Sequence, residues 1–599
     1  MRPQNRTRFT ALLLLCFALP LLSGCPGSKN APPPTPPNAL PNTQAGANTA
    51  LFEEVAEKAN VRFKLDNGFN NKFYFIESTP AGCALFDFDN DGYLDALLLQ
   101  SGSSESPDKV KNRPHSALYH NRGDGTFQEV TQSSGLDKDL GYAHGVASGD
   151  YDNDGYTDLF ITAYGANHLF HNENGTGKFR DVTQQMGLSK VHSAGFATSA
   201  AFGDYNNDGK LDLYVCYYST WNWSNDKLCA DAKGNSDYCS PEIYKPDTHR
   251  LYRNDGDHFT DASDEAGISK SEGRGLAVAF IDYDGDGKQD IFVANDMSPN
   301  MLWHNLGNGK FEEVAALAGC AYNADGVVMA GMGIGVADYN HTGYESLFVS
   351  DFSNKVNALF TLTQGGLFTD KSRQAGKALL ATKSYLSFGT SFLDYDADGW
   401  ADLVVSNGHV NYRIENMPGG ITYKEPKQLF HNRGDGTFEE IVDPALKGAL
   451  SALLLGRGLA VGDYDNDGRL DALAQNQNDN AQLFHNTDKS PHHWVSFKTV
   501  GTKSNRDGIH TKFTLEAGGL RQTATVRGGS SYLSASDRRV YFGLGRAESI
   551  DRVELVWSSG KRETLTHIAP NKCYIVTEGR GITGELPTKG AGRTNPTKP

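Results

Sequence analysis

The chain has 599 residues, with 72 acidic against 56 basic side chains and a formal net charge of −16. That balance excludes a phosphate-backbone binder, which needs clustered positive charge, so no nucleic-acid partner is expected. Sixty-five glycines and 11% aromatic residues favour many turns and β-structure over a helical chain.

Arg2, Arg6 and Arg8 precede an apolar run, Phe9 to Leu22, that is too short to cross a bilayer as a helix. It ends Leu22-Ser23-Gly24-Cys25, an order that resembles a bacterial lipobox. Residues 1–24 therefore read as a signal peptide. Cys25 would carry lipid chains that hold the exported protein at a membrane surface of the bacterial envelope. Pro26 stands where an inner-membrane retention signal places Asp, which points to the outer membrane. Residues 25–50 include Ala31-Pro-Pro-Pro-Thr-Pro-Pro-Asn38 and read as a disordered linker.

Residues 51–488 repeat one loop seven times, D-x-[DN]-x-D-G-x-x-D. Six copies are rich in acid: Asp87, Asp89, Asp91 and Asp95; Asp150, Asp152, Asp154 and Asp158; Asp204, Asn206, Asp208 and Asp212; Asp282, Asp284, Asp286 and Asp290; Asp394, Asp396, Asp398 and Asp402; Asp463, Asp465, Asp467 and Asp471. The remaining copy, fifth along the chain, offers Asp338, Asn340, Thr342 and Ser346. Like charges about 4 Å apart repel by roughly 1 kcal/mol even in water, so four convergent carboxylates call for a counter-ion. Glycine at the sixth position permits the sharp turn. The seventh residue (Tyr93, Tyr156, Lys210, Lys288, Trp400 or Arg469) adds a backbone carbonyl. All-oxygen, multi-carboxylate sites suit Ca²⁺ ahead of Mg²⁺. About six Ca²⁺ sites are expected, with the Asp338 loop weak or empty. The twelfth position holds an apolar residue such as Leu98 or Ile161, which excludes an EF-hand.

Each loop sits between short apolar runs without alternation, the mark of strands buried on both faces. A Leu-aromatic segment follows, such as Leu118-Tyr-His-Asn121, and then a Gly/Asp turn and a Phe strand, such as Gly125-Thr-Phe127. Four strands per unit, seven times, predict an all-β fold: a seven-bladed β-propeller. Phe52-Glu-Glu-Val55 has the pattern of a fourth strand but precedes the first loop, while Leu483-Phe-His-Asn486 has no fourth strand after it. The N-terminal segment is therefore expected to close the ring.

The five His-Asn dipeptides suggest metal ligands but recur at one repeat position on different blades, and so read as strand-end structure; Arg122-Gly-Asp124 and Arg433-Gly-Asp435 spell the integrin ligand tripeptide but lie in hairpin turns, and read as turn geometry. Cys229 and Cys239 lie close together in a polar loop and are a disulfide candidate; Cys83, Cys216, Cys320 and Cys573 cannot be paired from sequence. Trp221 and Trp223 occupy the longest interval between loops, where aromatics serve either a sugar or partner site or local packing. Residues 489–580 lose the acidic loops and read as a second, smaller β-sandwich-like domain, with residues 581–599 a disordered tail.

The repeats resemble the FG-GAP/VCBS repeats of integrin α-chain propellers and bacterial surface proteins. The last domain looks like the ASPIC/UnbV domain through Ser531-Tyr-Leu-Ser534, Phe542-Gly-Leu-Gly545 and Val556-Trp-Ser-Ser-Gly560. Their order resembles the cartilage acidic protein family and its bacterial relatives. His510-Thr511-Lys512 stands where the domain usually has Gly-Ala-Arg, so no role of that Arg transfers. The resemblance implies structural Ca²⁺ in the loops and partner binding on the opposite face. It transfers no catalytic residue. The expected function is a lipid-anchored binding or adhesion module for a protein or glycan. The alternative is a surface hydrolase or lyase acting on polysaccharide.

Overall fold

The apolar runs beside each acidic loop pair as antiparallel strands. This is seen in a computed structural model that describes residues 51–105, 110, 114–231, 233–442 and 449–589. The signal segment, Cys25 and the linker lie outside the described residues, as do residues 590–599. The first sheet runs in chain order through Cys83–Phe86, Asp95–Leu98, Ala117–Asn121 and Phe127–Glu129. Six further four-stranded sheets open at Tyr142–Gly149, Ala197–Gly203, Gly275–Ile281, Ile334–Ala337, Ser387–Leu393 and Gly456–Gly462. These opening strands adjoin one another in turn, the seventh against the first. Their side chains are almost all buried, as continuous apolar runs require. The architecture is a β-propeller.

Ring closure follows the offset register. Phe52–Glu54 supplies the outer strand of the seventh sheet, pairing Phe52 with Asn486 and Glu54 with Phe484. Pairing of the two chain ends removes a free sheet edge.

A second domain follows, built of two four-stranded sheets. One sheet contains His493–Val500 between Val540–Gly545 and Lys572–Thr577; the other contains Lys512–Ala517 between Leu520–Thr525 and Arg552–Val556. Their facing side chains, among them Val495, Phe497, Phe513, Leu515, Val553 and Trp557, form one core. This is the expected sandwich, with one correction: Gly581–Glu585 is a strand that pairs with Lys572–Thr577 and extends the domain into the predicted tail. Alternation of Ile582 and polar neighbours on an edge strand is too short to read as a strand in isolation.

The second domain lies on the acidic-loop face of the propeller. Between its strands, residues 528–537 enter the axis and touch the opening strands around it. Ala535 bridges Ala84, Gly528 bridges Phe202, and the Ser531 amide donates to the Ile334 carbonyl at 2.7 Å. Tyr532, fully buried, reaches the aromatic cluster of Phe75, Phe196, Tyr218 and Phe388. Among the described residues no helix is long and apolar enough to cross a membrane.

Candidate metal centres

All seven loops close in the same way. The sixth-position glycines take φ between +82° and +97°, a conformation that favours glycine. Their amides donate to the first-position carboxylate, from Gly155 to Asp150 at 2.7 Å through Gly92 to Asp87 at 3.2 Å. In the six acid-rich loops the amide of residue seven then donates to the fifth-position carboxylate, as Tyr93 does to Asp91 at 2.9 Å and Trp400 to Asp398 at 2.8 Å.

The ninth position has a double role. Asp95, Asp158, Asp212, Asp290, Asp402 and Asp471 are fully buried. One oxygen accepts the amide of loop residue two, and the other accepts the amide of the asparagine on the third strand. For Asp402 these are Tyr395 at 3.1 Å and Asn432 at 2.7 Å. The carboxylate thus clamps its loop to its sheet, with lone pairs left over for a cation. In the fifth sheet Ser346 takes this place and its hydroxyl accepts the Leu362 amide, at 3.3 Å.

The asparagine side chain extends the clamp between sheets. Asn121 Nδ2 donates to the carbonyls of Leu94 in its own loop and Tyr464 in the seventh sheet, at 2.9 and 2.8 Å. Asn172, Asn254, Asn305, Asn432 and Asn486 repeat this toward the preceding sheet. The fifth sheet has buried Leu362 instead.

The histidine of the His-Asn pair stands near the end of the third strand, as read from the sequence, and in five sheets its ring also adjoins the loop's acidic cluster. His171 Nδ1 lies 3.1 Å from Asp152 and 3.3 Å from Asp158; His485 Nδ1 lies 3.7 Å from Asp465 and 3.3 Å from Asp471. The signal available was its fixed phase with the loop; strand pairing over tens of residues is what brings the two together. The third sheet has Arg253 here, turned to Asp255 at 2.7 Å, and the fifth has Thr361, bonded to Tyr339 at 2.9 Å.

The donor set fits a hard dication. Asp87 Oδ1, Asp396 Oδ1 and Asp465 Oδ1 are buried without a hydrogen-bond partner. Burial pushes the Asp95 and Asp290 carboxyls up to about 8 and Asp158 and Asp471 up to about 7. A cation would supply the counter-charge that ionisation of these groups needs. Positive side chains already lean in: Lys210 Nζ lies 2.9 Å from Asp208, Lys288 pairs with Asp286, and Arg469 pairs with Asp467. The fifth loop, with Asp338, Asn340 and Thr342, lacks this charge, although it keeps the turn bond from the Thr342 amide to Asp338 at 2.8 Å that Asp154, Asp208, Asp398 and Asp467 also make.

The second domain contacts the loop face at several loops and leaves others open, with Asp152, Asp154, Asp284 and Asp286 exposed. Lys498 Nζ lies 3.3 Å from Asp87 and 2.9 Å from Asn90 Oδ1. Asp507 accepts the Asp150 amide at 2.8 Å, and Arg539 donates to the Asp463 carbonyl at 2.7 Å. The fit at the seventh loop is close: a Cβ on Gly468 would stand 1.8 Å from Trp494 Nε1.

Other expectations resolve plainly. Cys229 and Cys239 form a disulfide, and Cys83, Cys216, Cys320 and Cys573 are buried thiols. Trp221 is fully buried with its Nε1 on Asp226 at 2.6 Å, and Trp223 packs on Tyr164 and donates to the Ser104 carbonyl, so this pair serves packing rather than a sugar site. In the two Arg-Gly-Asp turns, Asp124 and Asp435 accept from the amides and hydroxyls of Thr126 and Thr437, which is turn structure.

Fold and loops together define a β-propeller protein built on repeated acidic turns and capped by a sandwich domain. The FG-GAP-like repeat family matches residues 87–161, 150–215, 231–293, 282–349 and 420–474, and the ASPIC and UnbV family matches residues 501–583. The chain belongs to the FG-GAP-like repeat family and carries an ASPIC and UnbV domain. It is similar to cartilage acidic protein 1 of Mus musculus, 25% identical over 507 residues that cover 80% of this chain and 70% of that protein. The Homo sapiens protein is 24% identical, with 80% and 69% covered. Among solved structures, a lectin from Agrocybe aegerita that recognises non-reducing terminal N-acetylglucosamine covers 66% of this chain and 88% of its own at 14% identity, with a TM-score of 0.36.

Proposed function

We propose that the protein is an exported, lipid-anchored binding or adhesion module whose propeller is stabilised by Ca²⁺ in six loops. The observation that carries the reading is the packing of the second domain against the acidic-loop face, with residues 528–537 in the axis. Cation loops that a second domain packs against, through Asp87, Asp150 and Asp463, suit a structural ion, and partner binding is assigned to the opposite face. The disulfide favours an oxidising compartment. Cys25 is the proposed lipid attachment, at the outer membrane.

The far face carries a surface of suitable chemistry. The insertion between Tyr217 and Arg250, knotted by Cys229–Cys239, ties sheets together there: Tyr238 donates to Glu77 at 2.8 Å and Asn411 to Asp237 at 2.7 Å. Beside it, Phe73 stacks on Tyr412 at 5.6 Å, and Phe69 is 40% exposed. Rings with asparagine neighbours suit a glycan or a peptide partner. The alternative is a surface hydrolase or lyase acting on polysaccharide; residues 528–537 of the second domain contact the opening strands where an axial site would lie.

Glycan and protein-partner arrays run with and without EDTA test the proposal. Binding that falls with EDTA and in Phe69→Ala/Tyr412→Ala supports it. Turnover of a polysaccharide would overturn it.

A further inference from the structure

Beyond the edge strand Gly581–Glu585 the chain crosses the acidic-loop face, over the first loop to the seventh. The Leu586 amide donates to the Cys573 carbonyl at 2.9 Å, and its side chain packs against Ala397, Trp494 and Cys573. Pro587 lies over the turn of the first loop: a Cβ on Gly92 would stand 2.8 Å from its Cδ. The Lys589 amide then donates to the Asn466 carbonyl, inside the seventh loop, at 2.9 Å. Its ammonium reaches Asp465 Oδ2 at 2.7 Å and Asp467 Oδ2 at 3.2 Å. These carboxylates hold the third and fifth loop positions on side chains 8% and 4% exposed, whereas the Lys589 side chain is 54% exposed. Arg469 also pairs with Asp467, and His485 Nδ1 stands 3.7 Å from Asp465. Asp465 Oδ1 remains buried without a hydrogen-bond partner. The seventh loop thus holds a cation supplied by its own chain and still has a buried oxygen to give.

Other lysines touch the loops, but none of those contacts can free a length of chain. Lys210 and Lys288 sit two residues from their partners Asp208 and Asp286, and Lys498 is fixed within the strand His493–Val500. Lys589 is held to its loop by the ammonium and one backbone bond. A half-exposed ammonium on a flexible stem gives up side-chain entropy to stay, so its pairing is worth a factor of roughly two to five. A dication draws on the same carboxylate oxygens with twice the charge and no such cost. We propose that Lys589 is an intramolecular latch on the seventh loop, and that Ca²⁺ and the ammonium exclude one another there. Without Ca²⁺ the latch is shut; Ca²⁺ in the loop releases Pro587 to Lys589 from the loop face. The proposal rests on the reading that the acidic loops hold Ca²⁺.

The test uses the exported chain and a lysine-specific protease that does not itself require Ca²⁺. Cleavage between Lys589 and Gly590 is followed by the mass lost from the intact chain, in Ca²⁺ and in EDTA, while calorimetry counts bound Ca²⁺. The expected result is that Ca²⁺ speeds this one cut by about twofold or more, while a stabilised propeller slows cleavage at its other lysines. Lys589→Gln removes the competitor at an exposed position. It should bind Ca²⁺ at one site roughly two- to fivefold more tightly, with the number of sites unchanged. Ca²⁺ that binds yet leaves the Lys589 cut equal or slower, or a Lys589→Gln chain with unchanged affinity, would overturn the latch and leave the loop reading intact. No bound Ca²⁺ in either chain would overturn the loop reading and the latch with it.

Discussion

Asn486 Nδ2 donates to the carbonyl of Tyr395 at 2.7 Å and so fastens the seventh sheet to the sixth. The same clamp recurs at six of the seven junctions described; Leu362 breaks it between the fourth and fifth sheets. Removing one clamp leaves buried carbonyls without donors, as at Tyr205 and Gln289 opposite Asn305. Asn305→Ala should therefore destabilise the propeller by about 1–3 kcal/mol. Thermal melting checks this, and an unchanged midpoint would remove the clamp from the account. Hydrogen exchange should find the fourth–fifth junction opening first.

Ring closure gives a second prediction. Phe52 is buried against the seventh sheet, and the Val55 amide donates to the Leu483 carbonyl at 2.8 Å. Phe52→Ala should cost about 3–5 kcal/mol. Deleting residues 51–56 should lower the melting temperature further. Equal stability with and without the segment would sink the closure.

Acid should loosen the cap. Glu578 Oε2 accepts the amides of Thr502, Lys503 and Ser504 at 2.8, 2.7 and 2.9 Å, anchoring the turn that carries Asp507 to the second loop. Burial by itself would raise this carboxyl, but the Ser559 hydroxyl and these amides hold it down to about 2 from an ordinary 4.5. The depressed value means that the unfolded chain binds the proton more tightly. The contribution is thus complete above about pH 4.5 and is lost as pH falls toward 2. Melting from pH 6 to pH 3 should show a declining acid limb that is shallower in Glu578→Gln. Parallel limbs would contradict it.

The arginines of the second domain should matter in proportion to their burial. Arg539 pairs with Asp537 and donates to Asn466 at 2.7 Å and to the Asp463 carbonyl. Arg539→Ala leaves these groups buried without a donor. It should expose the junction near residue 537 to limited proteolysis. Resistance equal to the parent would argue that the docking does not depend on this contact.

The features legible in sequence were those carried by local spacing. Asp87 to Asp95 and Leu118 to Asn121 repeat in phase, so loop, strand order and sheet number follow from pattern, and the misplaced Phe52 strand announces the closure. What stayed hidden depends on contacts between distant segments. Asn486 meets Tyr395 and His120 meets Asp95 only once sheets are paired. Tyr532 enters the axis from a domain whose sequence gives no sign of where it docks. For Trp221 the sequence left packing and a ligand role both open, because its packing partners Tyr164 and Phe196 and its Asp226 contact are visible only in the fold. Gly581–Glu585 was missed because an edge strand has its partner, Lys572–Thr577, to thank for its order.

The central claim is that the acidic loops are cation sites whose number follows their carboxylates. Calcium titration of the exported chain by calorimetry, after EDTA and dialysis, tests it directly. The account predicts five to six strong sites, with the Asp338 loop silent and its Asp338→Asn variant unchanged in stoichiometry. Clearly fewer than five sites, or a seventh strong site, would contradict it.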